Sequence, residues 1–497
     1  MIVAAWALVV VGLVADVRLM AWYWPGSFFD GPTSDVWTAL AWDFAHGEFY
    51  RPLVGPAEYG GTRYMPLLFV VHGLLIRAHL DPIHVGVLLM QTSVVAAAVA
   101  LFAALRAASV PPRLAVPLAG TVWCTVLYQK YCTDLRPDYL AAAFALAGIA
   151  LAGAGSRERR PMWLVGSSGA CVLAGLTKVT AVAFSAPIVV WLWMDRRRTT
   201  ALRFAVGTLA LFILATGVVQ VASAGHFLEN FRATATGGIT MSDVGRGIPK
   251  LAGELVSDPF VGMPFVMACW CSLTAARHRR LSFAHTYFVT ATLVTMAIFV
   301  SPGTVSNQLV DLQMASTLVV GVTVVQARVS PRLVSGMYAA LAVVLMAISL
   351  PVSGIPSVVT TLSTRGPRSR SVVQAIHAEF LPAGSRYLST DPIVSVLNDE
   401  RPVILDAFSL EQFVKEETPA GRDIAQQVRR RAFSAIVLRD TGDFPRDMNA
   451  GDSGFSEYQR RYWVNHDDAL TRLFRSTYEM RAVRRPFVIL TPAPAVS

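Results

Sequence analysis

The chain has 497 residues, of which 54% are hydrophobic and only 15% charged, and its mean hydropathy is +0.48. Soluble chains carry roughly 25% charge, so the deficit excludes a disordered protein, a coiled coil and an ordinary soluble enzyme, and points to a multi-span membrane protein. The net charge of +10 does not argue for nucleic acid, because most of the surplus sits in short loops beside apolar segments, where it has a topological meaning.

Charge is distributed unevenly. Residues 1–353 hold 24 Lys+Arg and 16 Asp+Glu, whereas residues 354–497 hold 19 and 17. The second segment is charged like a soluble domain. The expectation is a polytopic helical membrane domain over 1–353, followed by a small α/β domain over 354–497. All five cysteines (Cys124, Cys132, Cys171, Cys269 and Cys271) lie in or beside apolar segments, so neither a disulfide framework nor a zinc site is expected.

In chain order, residues 2–24 read as a retained first span ending in Trp22, Tyr23 and Trp24, an interfacial aromatic belt. A polar outer loop over 26–63 follows. Within it, Ser34 suits an N-cap, 35–46 suits a helix and Gly47 suits its C-terminal end. Further apolar segments lie near 65–79, 83–105, 114–128, 139–154, 162–177, 179–194, 204–222, 259–275, 284–301, 308–326 and 333–352. That makes twelve segments in all. The basic runs at 157–160, 195–198, 277–280 and 328–332 mark cytoplasmic loops by the positive-inside rule. They place Lys178, residues 223–258, 302–307 and the C-terminal domain on the other side of the plasma membrane. That count needs eleven crossings, and the 15-residue segment 114–128 is the one expected not to cross fully.

In the C-terminal domain, 403–405, 435–438 and 486–490 read as strands, and 410–415 and 424–431 as helices. No phosphate loop, nucleophile triad or metal cluster is legible there, so recognition or support is expected of it rather than chemistry.

The candidate site is formed by the ionisable residues on the outer side. Asp35 falls in the first turn of the loop helix, where it either complements the helix dipole or does chemistry. Arg136 and Asp138 stand at the mouth of one span. Lys178 lies between two apolar segments with no carboxylate near in sequence, and Asn307 to Asp311 open another span. Ionisable groups at bilayer depth are costly, which favours function over structure. A carboxylate that takes a proton from an acceptor hydroxyl, combined with cations that stabilise a phosphate leaving group, suits transfer from a lipid-linked phosphate.

The membrane half resembles the GT-C glycosyltransferases, in the bacterial branch related to protein mannosyltransferases and the aminoarabinose transferase. The likeness rests on Asp35 with 47–50 beyond it, Arg63-Tyr64-Met65-Pro66-Leu67, Arg136-Pro137-Asp138-Tyr139-Leu140-Ala141, Leu176-Thr177-Lys178 and 307–311 in that order. Met65 stands where the family usually has proline. The resemblance implies a polyprenyl-phosphate-sugar donor and an inverting displacement onto an extracytoplasmic glycan, lipid or protein acceptor. It makes Asp35 the catalytic carboxylate. It assigns Glu58, Arg63, Tyr64, Arg136, Asp138, Lys178 and Asn307 to substrate binding. Some relatives carry a divalent ion near the loop acids, so a metal cofactor is left open. The competing expectation is a secondary transporter of about twelve spans. The long outer loop, the outer domain and the lack of repeat symmetry weigh against it.

Overall fold

The computed structural model describes parts of 9–21, then 32–326 and 370–494, without 56–57, 159–160, 236–240, 279–280, 302–303, 382–383 and 440–454. The aromatic belt at 22–24, the basic run 328–332, the segment 333–352 and the boundary at 353 lie outside these residues.

Five helices among the described residues are long and apolar enough to cross a membrane: Pro82–Ala107, Asp138–Gly155, Arg198–Ala222, Phe260–Arg277 and Ser306–Gln326. Shorter apolar helices are Pro66–Arg77 before them and, among others, Met162–Thr177 and Phe283–Phe299 between them. The segment near 114–128 is broken into a helix over Pro112–Gly120, a 3-10 turn over Thr121–Cys124 and a helix over Val126–Tyr131. Pro117 sits inside the first piece, where it removes a backbone donor from the ladder. The lipid-ward character is clearest in Arg198–Ala222, which leaves Leu202, Val206, Leu209, Ile213, Leu214, Val218 and Val221 exposed. In a soluble protein that face would have to be covered.

The helix α1 (Pro32–Ala45), in the loop expected to lie outside, starts before Ser34, not after it. Ser34 is therefore inside the helix, and its carbonyl accepts from the Thr38 hydroxyl at 2.9 Å. Proline at the first position, with its φ already set for a helix, supplies the start that Ser34 was expected to supply. The C-terminal end is as expected. Gly47 has φ +90°, its N–H donates to the Phe44 carbonyl, and the Glu48 N–H donates to the Asp43 carbonyl. These are the paired bonds of a Schellman motif.

Helix α2 (Pro66–Arg77) packs directly on α1. A Cβ placed on Gly73 would sit 2.6 Å from the Ala41 carbonyl and 2.9 Å from the Phe44 ring, so the two helices approach at the only residue without a side chain. Gly73→Ala is expected to lose about 1–3 kcal/mol through overpacking, measured as a drop in thermal midpoint; an unchanged midpoint would contradict the close approach.

The helices that frame the site are α3 (Pro82–Ala107), α4 (Asp138–Glu158), α5 (Pro161–Thr177) and α6 (Val310–Gln326). Helix α4 packs against α3 and α5, and α6 against α3 and α4. Beyond α5 the chain turns through an extended Lys178 (φ −149°, ψ 115°) into a 3-10 segment, Val179–Ser185.

The C-terminal domain carries a four-stranded sheet in the order β1-β2-β4-β3, with β1 at Leu388–Ser389, β2 at Ile436–Arg439, β3 at Tyr478–Arg484 and β4 at Phe487–Pro492. β1 and β2 are parallel and the other pairs antiparallel. The expected strands at 435–438 and 486–490 and both expected helices are present, the latter as Ala407–Lys415 and Pro419–Arg429. The run at 403–405 is reduced to one parallel bridge, Ile404 to Tyr59 of the outer loop.

Alternation along the strands divides the sheet between two cores. Ile436, Leu438, Val488 and Leu490 pack with Leu410, Phe413, Ile424 and Val428 on one face. Ala435, Val437, Phe487 and Ile489 face the other way, into one apolar cluster with Val36, Trp37 and Leu40 of α1 and Leu68 and Phe69 of α2. The C-terminal domain is thus seated on α1 through a shared core.

Candidate functional site

Four of the expected residues meet where spans begin or end. Asp138 opens α4 and Asp311 lies in the first turn of α6, positions where the helix dipole favours negative charge. The Lys178 ammonium lies between them, 2.8 Å from Asp138 Oδ1 and 4.0 Å from Asp311 Oδ2. Asn307 Nδ2 donates to Asp138 Oδ2 at 2.7 Å. A burial-only role would leave every polar atom satisfied, yet Asn307 Oδ1 and Asp311 Oδ1 are buried without a hydrogen-bond partner.

Arg136 stands beside this cluster. Its guanidinium lies 3.3 Å from Asp134 and 4.2 Å from the centre of the Tyr131 ring, whose hydroxyl is 3.1 Å from Ser306 Oγ. Burial works against its charge, and Asp134, Tyr131 and Asp138 outweigh burial and hold it protonated. Its Nε is buried without a partner.

Asp35 belongs to a second cluster, which draws on the C-terminal domain. Its Oδ2 accepts from Arg439 Nη1 at 2.5 Å, and the same nitrogen donates to Asp391 at 2.6 Å. Asp35 is wholly buried, and Asp391 and Arg439 nearly so. Burial pushes the Asp35 carboxyl well above the usual carboxylate range; the adjoining Asp391 carboxylate pushes the same way and Arg439 opposes it. Asp35 Oδ1 is left buried and unpartnered. For Arg439, burial works against its charge, and Asp391, Asp35 and more remotely Asp134 raise it. Asp134 therefore acts on both Arg439 and Arg136 and links the two clusters.

Tyr64 packs against α1. Its ring lies 4.5 Å from Trp37 of α1. Burial raises its phenol, and Asp406, Arg63, Arg136 and Asp138 also act on it.

Glu58 and Arg63 are placed elsewhere. Glu58 lies 3.5 Å from Arg51 and 2.5 Å from Arg401. Arg51 is fully buried and grips Asp43 with two bonds of 2.7 and 2.5 Å. Burial outweighs that grip and pushes Asp43 up to about 6. The Arg63 guanidinium lies 5.4 Å from the Phe408 ring of the C-terminal domain. Both residues face that domain and join neither cluster.

Sequence reading missed Asp391 and Arg439. Their signal was the parallel pair β1–β2: each residue lies at or just beyond the carboxyl end of its strand, the usual place for a site in an α/β sheet. β2 also alternates Ile436 and Leu438 against Val437 and Arg439, which aims Arg439 at the face that meets α1.

The donor set does not suit a divalent ion. Among the described residues no group of three or more His, Cys, Asp or Glu is placed to hold one, and the paired acids Asp35 and Asp391 already share a guanidinium.

No protein-family model and no curated protein matches the chain. Solved structures do match. ArnT of Cupriavidus metallidurans in the apo state superposes with TM-score 0.64 at 14% identity over 99% of both chains. ArnT bound to undecaprenyl phosphate gives 0.59 at 14%, over 99% of this chain and 98% of that one. The apo oligosaccharyltransferase of Archaeoglobus fulgidus gives 0.57 at 10%, over 98% of this chain and 76% of that one. The chain shares the fold of these structures, a polytopic helical domain with a small C-terminal α/β domain, which is the architecture expected from the sequence.

Proposed function

We propose that this chain is an integral-membrane glycosyltransferase that moves a sugar from a polyprenyl-phosphate donor to an extracytoplasmic acceptor with inversion. The observation that carries the reading is the Lys178 cluster. It presents a buried ammonium, a guanidinium with a spare donor at Arg136 Nε, and spare acceptors at Asn307 and Asp311. A phosphosugar supplies the complement: phosphate oxygens for the cations and hydroxyl donors for the orphaned acceptors. The fold shared with an ArnT crystallised with undecaprenyl phosphate supports a lipid-phosphate ligand.

In the reaction, the acceptor oxygen attacks the anomeric carbon as the bond from that carbon to the phosphate oxygen breaks. The acceptor proton passes to the Asp35 carboxylate, and the charge left on the polyprenyl phosphate is met by Lys178 and Arg136. The C-terminal domain and both clusters are read as lying on the extracytoplasmic face, opposite the basic loops.

Lys178→Gln is expected to raise the donor KM by about 10–100-fold, the loss of one charge-assisted hydrogen bond, in assays with undecaprenyl-phosphate sugars and a cell-envelope acceptor extract. An unaltered KM would remove Lys178 from the donor site.

A further inference from the structure

We infer that the C-terminal domain is a working part of the transfer site: Arg439, itself fixed by Asp391, is the positioning residue that orients the Asp35 carboxylate toward the acceptor. This deepens the glycosyltransferase reading and rests on it.

Three observations carry the inference. First, one Asp35 oxygen is held at 2.5 Å by Arg439 while the other, Oδ1, is buried and unpartnered. The carboxylate is thus presented with one oxygen anchored and one available to an acceptor hydroxyl. A base oriented by a third group is the general arrangement of activated acid–base pairs. Second, Arg439 is not a mobile surface cation. It is 8% exposed, and Asp391, 1% exposed, accepts from the same nitrogen at 2.6 Å. Asp391 is in turn tied down at its own strand end, where the Ser389 hydroxyl accepts from its N–H at 3.1 Å and donates to its carbonyl at 2.7 Å. Third, the support beneath is rigid. Val437 and Ala435, on the same face of β2 as Arg439, share an apolar cluster with Val36, Trp37 and Leu40, the α1 residues around Asp35.

The arrangement has a charge imbalance that makes it testable. Two carboxylates share one guanidinium, and each partner acts on Asp35 with opposite sign. Asp391 disfavours the ionised base and Arg439 favours it. From the membrane side, α2 and α3 meet α1 with Leu68, Phe69, Ile83 and Val87. Asp134 adds to the negative charge that acts on Arg439 and is itself paired with Arg136.

The base works ionised, so the acidic limb of the rate–pH profile follows Asp35. Asp391→Asn removes a like charge, and the limb is expected to move to lower pH by about one unit or more. Arg439→Gln removes the cation, and the limb is expected to move to higher pH by a similar amount. A merely structural contact would lower the rate in both variants and displace the limb in neither, or displace both the same way. Arg439→Lys keeps the charge but not the planar fork; kcat is expected to fall with the limb in place, which keeps the test alive if Arg439→Gln does not fold.

The profiles are recorded on the purified full chain with undecaprenyl-phosphate sugar donors and a cell-envelope extract, with Asp35→Asn alongside. Opposite displacements support the inference. Parallel or absent displacements with an inactive Asp35→Asn overturn it and leave the glycosyltransferase reading standing. An active Asp35→Asn overturns the inference and removes Asp35 as the base while leaving the glycosyltransferase reading standing, and the absence of transfer by the wild type overturns that reading.

Discussion

Asp35→Asn is expected to lower sugar transfer by about 10²–10⁴-fold, the usual contribution of a positioned general base, with little change in thermal stability. The asparagine amide keeps the shape of the carboxyl and an oxygen to accept from Arg439, which now holds Asp35 at 2.5 Å. What it loses is the ability to take a proton. Stability is expected to hold because the substitution removes one of two like charges that burial has brought together at Asp35 and Asp391. Comparing donor turnover with the thermal midpoint separates the two effects. A variant that unfolds would make Asp35 structural; a stable variant with full turnover would make it a dipole complement at the first turn of α1.

The second large effect concerns stability. Arg51→Met is expected to cost about 3–5 kcal/mol, because it leaves Asp43 as a buried carboxylate without its partner. Arg51 is 0% exposed and Asp43 3%. The same guanidinium bonds the Pro402 carbonyl of the C-terminal domain at 2.5 Å. It also lies within ion-pair distance of Glu58. The loss therefore reaches from α1 to the domain that caps it.

The effect depends on pH with a definite sign. Burial holds the folded pKa of Asp43 at about 6, above its unfolded value, so the folded state binds the extra proton and stability falls as pH rises through that window. Without Arg51 the folded pKa rises further. The variant is then expected to be least damaged near pH 5 and most damaged near pH 8, as read by thermal melts. The double variant Arg51→Met, Asp43→Leu is expected to recover much of the loss, since an apolar pair carries no unpaired charge. A melt unaltered by Arg51→Met would show that the pair is exchangeable with water.

Much of the membrane domain was legible because a span announces itself through twenty apolar residues, independently of what it packs against. Lys178, Asp138 and Asn307 were legible for the converse reason: polar residues at the ends of such runs stand out. Their meeting was not legible, since Lys178 and Asp138 are 40 residues apart and nothing local pairs them. Ser34 misled because Asp, Ser and Pro at 30–34 all resemble helix starts, and proline at position 32 took the role.

Glu58 and Arg63 were assigned by order along the chain, but their partners, Arg401 and Phe408, lie in the other domain. Arg439 was hidden most deeply. An arginine ending an apolar strand reads as a solvated strand end, and only the two-residue alternation of β2, combined with the seating of that face on α1, turns it toward Asp35. That alternation gives the face Arg439 takes but not the helix it meets, 404 residues away from it at Asp35.

The most direct test of the account is to incubate the purified chain with undecaprenyl-phosphate sugars and a cell-envelope extract, then follow donor and product by mass spectrometry, with Asp35→Asn in parallel. Release of undecaprenyl phosphate and a new glycosidic linkage of inverted configuration are expected in the wild type, and neither in the variant. Intact donor in both samples, with substrate accumulating unmodified in sealed vesicles containing the protein, would contradict it and favour a transporter.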